Sequence, residues 1–309
     1  MSKNIIFLNT GVVWGGVEGW HFKVASELKK RGHNIFATVA SGTPFHNRCK
    51  EAGFIINEIK PITDGTFLNP VRVFKFAKYL RNYKIDTIFF CASSHFKFGS
   101  LAAKLAGVSN IIYRRALARP INNRFYNRFL LKNCVTNFMG ISKTTIEKSI
   151  KEIPEEYLPK SKINLIYNGV NIAKFRNPNI ENDIRKEFSI KNNELIIANI
   201  GRLCRQKAQQ DFIESLSKVT KKFSNYKALI IGAGDKEEYL KNKVKEFNLE
   251  DKIIFTGFRD DVPAILNQID FLVHSALYEG CPWIILETMA SGTPIVSFDI
   301  PSVDENLKN

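Results

Sequence analysis

Two glutamates, Glu279 and Glu287, stand eight positions apart in the stretch HSALYEGCPWIILETMASGTPIVSFD. Gly280 allows close backbone approach, Pro282 suits the first position of a helix, and amide groups at a helix start receive anionic diphosphates. Eight helical residues separate the carboxylates by roughly 12 Å, so they cannot act on the same atom. The spacing predicts contacts at two ends of one ligand. An amphipathic helix with two solvated glutamates is the alternative interpretation.

A second charged group lies in NIGRLCRQKAQQDFIESL, where an apolar strand ends in Gly201. Arg202 and Lys207 lie at the start of the next predicted helix, with Arg205 between them. An arginine fork and a lysine stabilise negative charge on a departing phosphate. The pattern predicts a clamp for an anionic leaving group, and surface basic residues at a helix start are the alternative.

A glycine-rich turn occurs in NTGVVWGGVEGWHFKVASELKKRGH, where Gly15, Gly16 and Glu18 open a helix. Paired glycines let a loop backbone pass close to a phosphate or a sugar. A Gly-Gly pair is also common in turns that lead into helices, so by itself this turn is better explained as a structural feature.

Short apolar runs and longer amphipathic stretches alternate along the chain, as is typical of βαβ units. Such units predict parallel sheets that are covered by helices on both faces. The stretch 153–193 is rich in Pro, Asn and Gly, which predicts turns and a domain boundary near residue 175. Strands are expected at KNIIFLN, HNIFATVA, FIINEI, IDTIFFCA, NIIYR, ELIIANIG, KALIIGAG, KIIFTG, DFLVHS and PIVSFD, and helices at 17–30, 70–82, 206–222, 236–248 and 282–291.

These segments together resemble the retaining glycosyltransferases of family 4. The stretch around Glu279 and Glu287 is similar to S-x-x-x-E-G-x-P-x-x-x-L-E-x-M-A-x-G-x-P-I-V, the segment after Gly201 to G-R-L-x-x-x-K, and the N-terminal turn to G-G-x-E. The resemblance implies the GT-B fold, an α/β class with two Rossmann-like doubly wound domains that face each other across a cleft. Residues 1–175 would be the acceptor-binding domain and 176–309 the donor-binding domain.

The resemblance also implies roles for individual residues. Glu279 is expected to contact hydroxyls of the transferred sugar, and Glu287 to accept hydrogen bonds from the ribose of the nucleotide. The expected catalytic residues are Arg202, Lys207 and Glu279. The expected donor-binding residues are Gly15, Gly16, Gly201, Gly280, Cys281, Pro282 and Glu287.

The chain departs from the family pattern at several positions. Ala208 stands where a glycine usually follows the lysine, and IIYRRALARP has arginines where many members have a histidine near the reacting sugar. The chain stops at Asn309, whereas GT-B enzymes usually continue through further helices, so it resembles a truncated form. His95 is predicted to end the fourth strand, at the edge where ligands bind, although a lone histidine is more often structural. The expected acceptor-side residues are Glu18, His95, Arg114 and Arg115.

The predicted reaction moves a sugar from a UDP- or GDP-sugar to a hydroxyl of a cell-envelope glycan or a lipid-linked acceptor, with retention by resemblance. Since Asp260 and Asp261 are adjacent and no DxD spacing occurs, no metal and no cofactor are expected. Two alternatives stay open. One is a GT-B epimerase or phosphorylase, and the other is a basic membrane- or nucleic-acid-binding module with a vestigial donor pocket.

The sequence shows no apolar run of roughly 20 residues and no signal-peptide pattern, which predicts a cytoplasmic protein, and its positive charge predicts a position peripheral to the inner face of the membrane. The chain has 309 residues and a net charge of +15, and its five cysteines show no disulfide or zinc spacing. Between 101 and 150 Glu147 is the only acidic residue among nine basic ones, which predicts an anionic partner such as a membrane surface. No aromatic-interleaved RNA motif or recognition helix is recognised, so nucleic acid is not expected. A solvated lysine-rich face is the alternative.

Overall fold

A computed structural model describes residues 2–307, so the prediction about Asn309 lies outside the described residues. The chain divides into two compact units, Met1–Tyr167 and Asn168–Asn309. The sequence analysis places this boundary near residue 175. Each unit is built on one fully parallel sheet with helices on both faces, which confirms the predicted α/β class. No helix among the described residues is long and apolar enough to cross a membrane.

The sheet of the first unit has seven strands in the order β3-β2-β1-β4-β5-β6-β7. Residues alternate between its two faces, as the pleat requires. Ile6 and Leu8 pack with the helices of one face, and Ile5 and Phe7 with those of the other. The strands are β1 (Asn4–Leu8), β2 (Asn34–Val39), β3 (Ile55–Glu58), β4 (Thr87–Phe90), β5 (Asn110–Arg115), β6 (Asn137–Gly140) and β7 (Ile163–Leu165).

Local signals fix the helix ends of this unit. Asn69 caps one helix by accepting a hydrogen bond from the Arg72 amide at 3.0 Å, and Pro70 is its first residue. Gly107 ends the next one in the left-handed conformation, with φ of 80°. The helices are α1 (Gly16–Lys30), α2 (Pro44–Glu51), α3 (Pro70–Asn82), α4 (Ser93–Ala106), α5 (Phe125–Asn133) and α6 (Lys143–Ile150), with 3₁₀ turns at Thr66–Leu68 and Lys160–Lys162.

The second unit has five strands in the order β10-β9-β8-β11-β12. Ile196 and Ala198 face one apolar layer, and Ile197 faces the other. The strands are β8 (Leu195–Ile200), β9 (Tyr226–Ile231), β10 (Ile253–Gly257), β11 (Phe271–His274) and β12 (Ile295–Ser297). The helices are α7 (Ile172–Arg176), α8 (Ile184–Glu187), α9 (Gln209–Thr220), α10 (Glu237–Glu246), α11 (Val262–Leu266), α12 (Trp283–Ser291) and α13 (Pro301–Leu307), with a 3₁₀ turn at Arg205–Lys207.

Three sequence-based expectations need correction. The stretch 153–193, which was expected to consist of turns, contains strand β7 and helices α7 and α8. Strand β7 extends the first sheet by pairing with β6. The helix expected at 206–222 begins at Gln209, since the backbone of Ala208 is left-handed and separates it from the 3₁₀ turn. His95 does not end a strand: β4 stops at Phe90, and His95 lies in the first turn of α4.

Candidate functional site

The order of strands in the second unit places two loops together. Strands β8 and β11 are neighbours in the sheet. Strands β9 and β10, which lie between them in the sequence, are on the other side of β8. Ligands of open parallel sheets bind outside the carboxyl ends of the strands where the order reverses in this way. The loop after β8 carries Arg202 and Lys207, and the loop after β11 carries Glu279. The topology thus brings the predicted catalytic residues to one edge of the sheet.

Hydrogen bonds hold these two loops together. Asn199, near the end of β8, donates through Nδ2 to the Val273 carbonyl at 2.9 Å and to Ser275 Oγ at 3.0 Å. Ser275 Oγ donates in turn to the Lys207 carbonyl at 2.9 Å. The Leu277 amide donates to the Gln206 carbonyl at 3.0 Å. Sequence analysis missed Asn199 and Ser275, whose polar side chains beside a strand end were the available signal.

The central feature of the site is an ion pair between the two loops. Lys207 Nζ lies 2.6 Å from Glu279 Oε1, and the side chains are only 20% and 12% exposed. In this setting solvent screens the pair less than it screens a surface ion pair. The pair fixes the lysine ammonium and the glutamate carboxylate side by side at the edge of the sheet. Arg202 is exposed on the same loop.

Two glycines let the β9 loop lie directly against the loop that carries Arg202 and Lys207. A Cβ on Gly232 would overlap the carbonyl oxygen of Gly201, and the φ of Gly232 is 138°, which disfavours other residues. A Cβ on Gly234 would overlap the backbone of Leu203. A Cβ on Gly201 would lie 3.3 Å from Lys207 Cε, so this glycine leaves room for the lysine side chain.

The loop after β11 leads into helix α12. Gly280, Cys281 and Pro282 are all buried, and Pro282 is the residue before the first helical residue, not the first itself. Asn168 Nδ2 donates to the Cys281 carbonyl at 3.1 Å and so fixes the backbone that enters the helix. Glu287 is half-buried and lies about one turn after Trp283, the first residue of α12.

Two further features of the second unit are a buried histidine and an open cavity. Burial, and then the charge of Lys207, lower the pKa of His274 at the end of β11 to about 3, so this imidazole is neutral at physiological pH. The loop after β10 borders an open cavity of about 880 Å³ beside α8. There Asp261 precedes α11 but does not cap it, because its carboxylate binds Arg259 instead.

In the first unit the order reverses between β1 and β4, and the glycine-rich turn follows β1. Gly15 and Gly16 lie at the start of α1, as predicted. Asn9 Nδ2 donates to Glu18 Oε1 at 3.1 Å, and a Cβ on Gly11 would lie 2.8 Å from that oxygen. Glu18 therefore holds the turn in place from within.

Of the other predicted acceptor-side residues, His95 and Arg114 are buried, and Arg115 is half-buried and bonded within the first unit. His95 is buried, its Nε2 accepts from the Thr10 amide at 3.3 Å, and burial lowers its pKa to about 4. Arg114 is 1% exposed and its guanidinium lies over the Trp20 ring, 4.0 Å from the centroid. Arg115 donates to Ser149, Tyr113 and the Arg119 carbonyl. These positions give no support to the prediction that His95, Arg114 and Arg115 contact an acceptor.

A buried polar cluster lies behind the turn. His21 Nε2 lies 3.2 Å from Cys91 Sγ, and its Nδ1 lies 3.3 Å from Asn9 Nδ2. Burial, with the nearby charge of Arg114, lowers the pKa of His21, and burial raises the pKa of Cys91. The thiol is thus held in its neutral form. Among residues 2–307, no group of three His, Cys, Asp or Glu side chains is arranged to hold a metal ion.

Comparison with known proteins identifies the second unit. Residues 180–309 match the family described as glycosyl transferases group 1. The second unit is therefore similar to the group 1 glycosyltransferases. The predicted resemblance to glycosyltransferases is thereby confirmed, whereas the assignment to family 4 stays a prediction.

Relatives and solved structures extend the similarity to the first unit. The chain is 28% identical over 244 residues to the Escherichia coli UDP-Gal:alpha-D-GlcNAc-diphosphoundecaprenol alpha-1,3-galactosyltransferase, covering 75% of this chain and 62% of that protein. It is 24% identical over 312 residues to the alpha-monoglucosyldiacylglycerol synthase of Streptococcus pneumoniae, covering 92% and 68%. The structure of Anabaena Alr3699/HepE with UDP-glucose matches 98% of this chain and 82% of its own, at 19% identity and a TM-score of 0.80.

Proposed function

We propose that this group 1 glycosyltransferase chain transfers a sugar from a nucleoside diphosphate sugar to a hydroxyl of a cell-envelope glycan or a lipid-linked acceptor. The observation that carries the proposal is the Lys207–Glu279 ion pair at the reversal point of the second sheet. An ammonium and a carboxylate fixed together suit a ligand with an anionic diphosphate next to a sugar rich in hydroxyls. The names of the E. coli and S. pneumoniae relatives support a lipid-linked or lipid acceptor.

The reaction breaks the bond between the anomeric carbon and the diphosphate oxygen and forms a bond to the acceptor oxygen, whose proton is released. Negative charge then grows on the departing diphosphate. Lys207 and Arg202 would stabilise this charge, together with the amides at the start of α12, whose helix dipole contributes roughly 0.3 to 1 kcal/mol. These groups would do so without a metal ion, and that independence is part of the proposal.

The ion pair with Lys207 supports a second role for Glu279 in the proposed mechanism. While Lys207 is paired with Glu279, its charge is partly neutralised, and a diphosphate has to compete with the carboxylate. Hydroxyls of the donor sugar would compensate Glu279 by donating hydrogen bonds to it, which releases the ammonium toward the phosphate. A complete donor would therefore exploit the pair better than a free nucleotide. Glu287, farther along α12, would accept from the ribose hydroxyls, and retention of the anomeric configuration follows from the family resemblance.

The test combines donor binding with single-turnover transfer. A thermal-shift panel of UDP-, GDP- and ADP-sugars selects the donor, and Lys207→Ala and Arg202→Ala are then compared with the unmodified chain. We expect at least a tenfold loss of transfer in each variant, since the loss of one charged contact to a developing anion costs some kcal/mol.

Lys218→Ala is the matched control, because Lys218 pairs with Glu214 on the exposed side of α9. It should transfer at the rate of the unmodified chain. Unchanged transfer by both Lys207→Ala and Arg202→Ala would contradict the proposal. Conversion of the donor into another sugar nucleotide without any acceptor would also contradict it.

A further inference from the structure

A second, smaller cavity of the second unit lies between the starts of helices α9 and α10. Its walls come from the 3₁₀ turn at Arg205–Lys207 and from the first residues of the two helices. The volume is about 270 Å³, just below the roughly 300 to 1,000 Å³ of pockets that hold drug-sized ligands. This space, which we call the rear cavity, therefore suits a small ligand.

The charged side chains that line the rear cavity are all positive. Arg205 belongs to the 3₁₀ turn, and Lys236 is the residue before the first helical residue of α10. Both residues are exposed, and neither forms an ion pair with another residue of the described range 2–307. Within that range no Asp or Glu lines the cavity. The walls therefore present two cations and no carboxylate, which favours an anionic ligand.

Helix α9 begins at the rear cavity without a capping side chain. Its N-cap residue is Ala208, which offers no acceptor to the amides of the first turn. Such amides have no partner inside the helix, and they attract anions. Gln209 and Gln210, the first two residues of α9, line the cavity together with Ala208. Asp211, the acidic residue of that first turn, does not line it.

One hydrogen-bond acceptor in the cavity wall is unused. Gln209 is 1% exposed, and its Nε2 donates to the Arg202 carbonyl at 3.1 Å. A carbonyl only accepts, so this bond fixes the orientation of the Gln209 amide. Its Oε1 receives no hydrogen bond from the part of the chain that the structure describes. Because a buried acceptor without a donor costs free energy, a ligand that brings a hydroxyl to this wall is favoured.

We propose that the rear cavity binds a phosphate group, either of free phosphate or of a small phosphate monoester. The phosphate oxygens accept from Arg205, from Lys236 and from the amides at the start of α9. A P–OH group, or a hydroxyl elsewhere in the ester, donates to Gln209 Oε1. Sulfate matches phosphate in size and charge but carries no proton at neutral pH, so it cannot satisfy Gln209.

The rear cavity is separate from the proposed donor site. Arg202, Lys207 and Glu279 do not line it. Lys207 shares the 3₁₀ turn with Arg205, but its ammonium is paired with Glu279. The phosphate site therefore goes beyond the proposed function. Its test needs neither a donor nor an acceptor, so its failure and a failure of sugar transfer are distinguishable.

Cys204 reports whether the rear cavity is occupied. It lines the cavity and is half-buried, whereas the other four cysteines are buried: Cys49, Cys91, Cys134 and Cys281. The rate of its labelling by N-ethylmaleimide, an uncharged reagent, is followed by peptide mass spectrometry. Saturating inorganic phosphate should slow the labelling about fivefold or more, and sulfate at equal ionic strength should have little effect. Equal slowing by both ions indicates an adventitious ion only, and no slowing by phosphate overturns the proposal.

Glycerol 3-phosphate distinguishes the two sources of the phosphate group. If this ester slows the labelling of Cys204 as well as inorganic phosphate does, the site accepts monoesters. If inorganic phosphate alone slows it, the site is one for the free ion. Both results support a phosphate site. Slowing by glycerol as strong as that by its phosphate contradicts the site, because the phosphate group would then contribute nothing.

Variants locate the bound phosphate. Lys236→Ala and Arg205→Ala should each raise the phosphate concentration for half-maximal protection of the cysteine about fivefold or more, since each removes a charged donor. Lys241→Ala is the matched control, because Lys241 pairs with Glu237 on the same helix. It should leave this concentration unchanged, and so should Lys207→Ala. If Lys207→Ala abolishes protection while Lys236→Ala keeps it, phosphate binds at the donor site and the proposal is wrong. Equal weakening by Lys236→Ala and Lys241→Ala also contradicts it, because net charge alone would then attract the ion.

Discussion

The two units are built alike but use the reversal point of their sheets differently. In the second unit this edge displays a partly accessible ion pair, Lys207 and Glu279, on loops tied together by hydrogen bonds. In the first unit the corresponding edge holds polar groups that bond inward, such as His95 to Thr10 and Glu18 to Asn9. The edge of the first unit is therefore occupied by bonds within that unit, whereas the edge of the second presents a charged pair that is partly accessible to solvent.

This contrast agrees with the extent of the family match, which covers residues 180–309 and so lies within the second unit. If the second unit binds the donor as proposed, a shared donor would constrain its loops to the same backbone shape. The first unit, proposed to bind the acceptor, would be under no such common constraint. The predictions below test this contrast, starting with the largest expected effect.

Substitutions at two glycines test whether the stability of the second unit depends more on the backbone geometry of its loops than the stability of the first unit does. Gly232→Ala should destabilise the second unit by about 3 kcal/mol, because its Cβ would overlap the Gly201 carbonyl and its φ is unfavourable for alanine. Gly16→Ala should leave the first unit nearly unchanged, since nothing lies within 4 Å of its Cβ position. Urea unfolding followed by tryptophan fluorescence measures both.

The tryptophans let each unit be followed separately. Trp14 and Trp20 belong to the first unit and Trp283 to the second, so Trp283→Phe leaves a reporter of the first unit alone. A Gly232→Ala protein as stable as the unmodified chain would show that the close backbone contact is not required. If Gly16→Ala reduced sugar transfer without a loss of stability, close approach of a ligand to that turn would be supported.

Acid should weaken the first unit through its buried histidines. Burial lowers the pKa of His95 to about 4 and also lowers the pKa of His21. In the second unit, His274 is likewise buried, and its pKa is lowered to about 3. Below pH 6.5 the unfolded chain takes up protons that the folded chain excludes, so stability falls as the pH falls, by about 2 kcal/mol for His95 at pH 5. For His95 this loss levels off below about pH 4.

The variant His95→Gln isolates this effect, because glutamine accepts from Thr10 without titrating. In unfolding curves at pH 7 and pH 5, His95→Gln should lose about 2 kcal/mol less than the unmodified protein, with Trp283→Phe as the background. An identical pH dependence in both proteins would mean that His95 is protonated as readily in the folded state as in the unfolded one.

Contiguous motifs were the part of the site that the sequence could predict. Gly201, Arg202 and Lys207 lie within seven residues, and the strand–loop–helix pattern around them fixes their placement locally. The pairing of Lys207 with Glu279 joins residues 72 positions apart, and it depends on β8 and β11 being neighbours. No single-sequence signal specifies that neighbourhood, so the pair was not predicted.

The errors have equally local causes. His95 follows an apolar run, so it was placed at a strand end, but Ser93 and Ser94 begin a helix there. Strand β7 has only three residues within a turn-rich stretch, too few for an alternating pattern. Arg114 was expected to contact an acceptor because it stands where many members of the family have a histidine, whereas in the folded structure it is buried and its guanidinium lies over the Trp20 ring.

The ion pair yields a functional prediction that separates nucleotide from sugar. Glu279→Gln should lower sugar transfer at least tenfold, yet bind free UDP or GDP at least as tightly, because Lys207 is no longer neutralised. Glu287→Ala should weaken free nucleotide instead. Isothermal titration with nucleotide and single-turnover transfer measure the two quantities, and an equal loss of nucleotide affinity in both variants would contradict this division.

The smallest expected effect concerns Ala208, which stands where the family pattern has glycine. Its φ of 47° and ψ of 43° lie in the left-handed region, although the side chain is buried. This conformation costs alanine about 1 kcal/mol or more. Glycine has greater conformational freedom in the unfolded chain, and this offsets part of the stability that the substitution adds. Ala208→Gly should therefore stabilise the second unit by somewhat less than about 1 kcal/mol.

Lys84, exposed in the first unit with a φ of 47°, offers the matched substitution, Lys84→Gly. Both variants should gain stability in urea unfolding, each in its own unit. Ala208→Gly should also keep its rate of sugar transfer, since the Ser275 bond that holds this loop goes to the Lys207 carbonyl and not to the Ala208 side chain. If Ala208→Gly destabilises while Lys84→Gly stabilises, packing of the Ala208 methyl outweighs the backbone strain. The loop at the proposed phosphate clamp would then be adapted to alanine, and its departure from the family pattern would be a feature of this site.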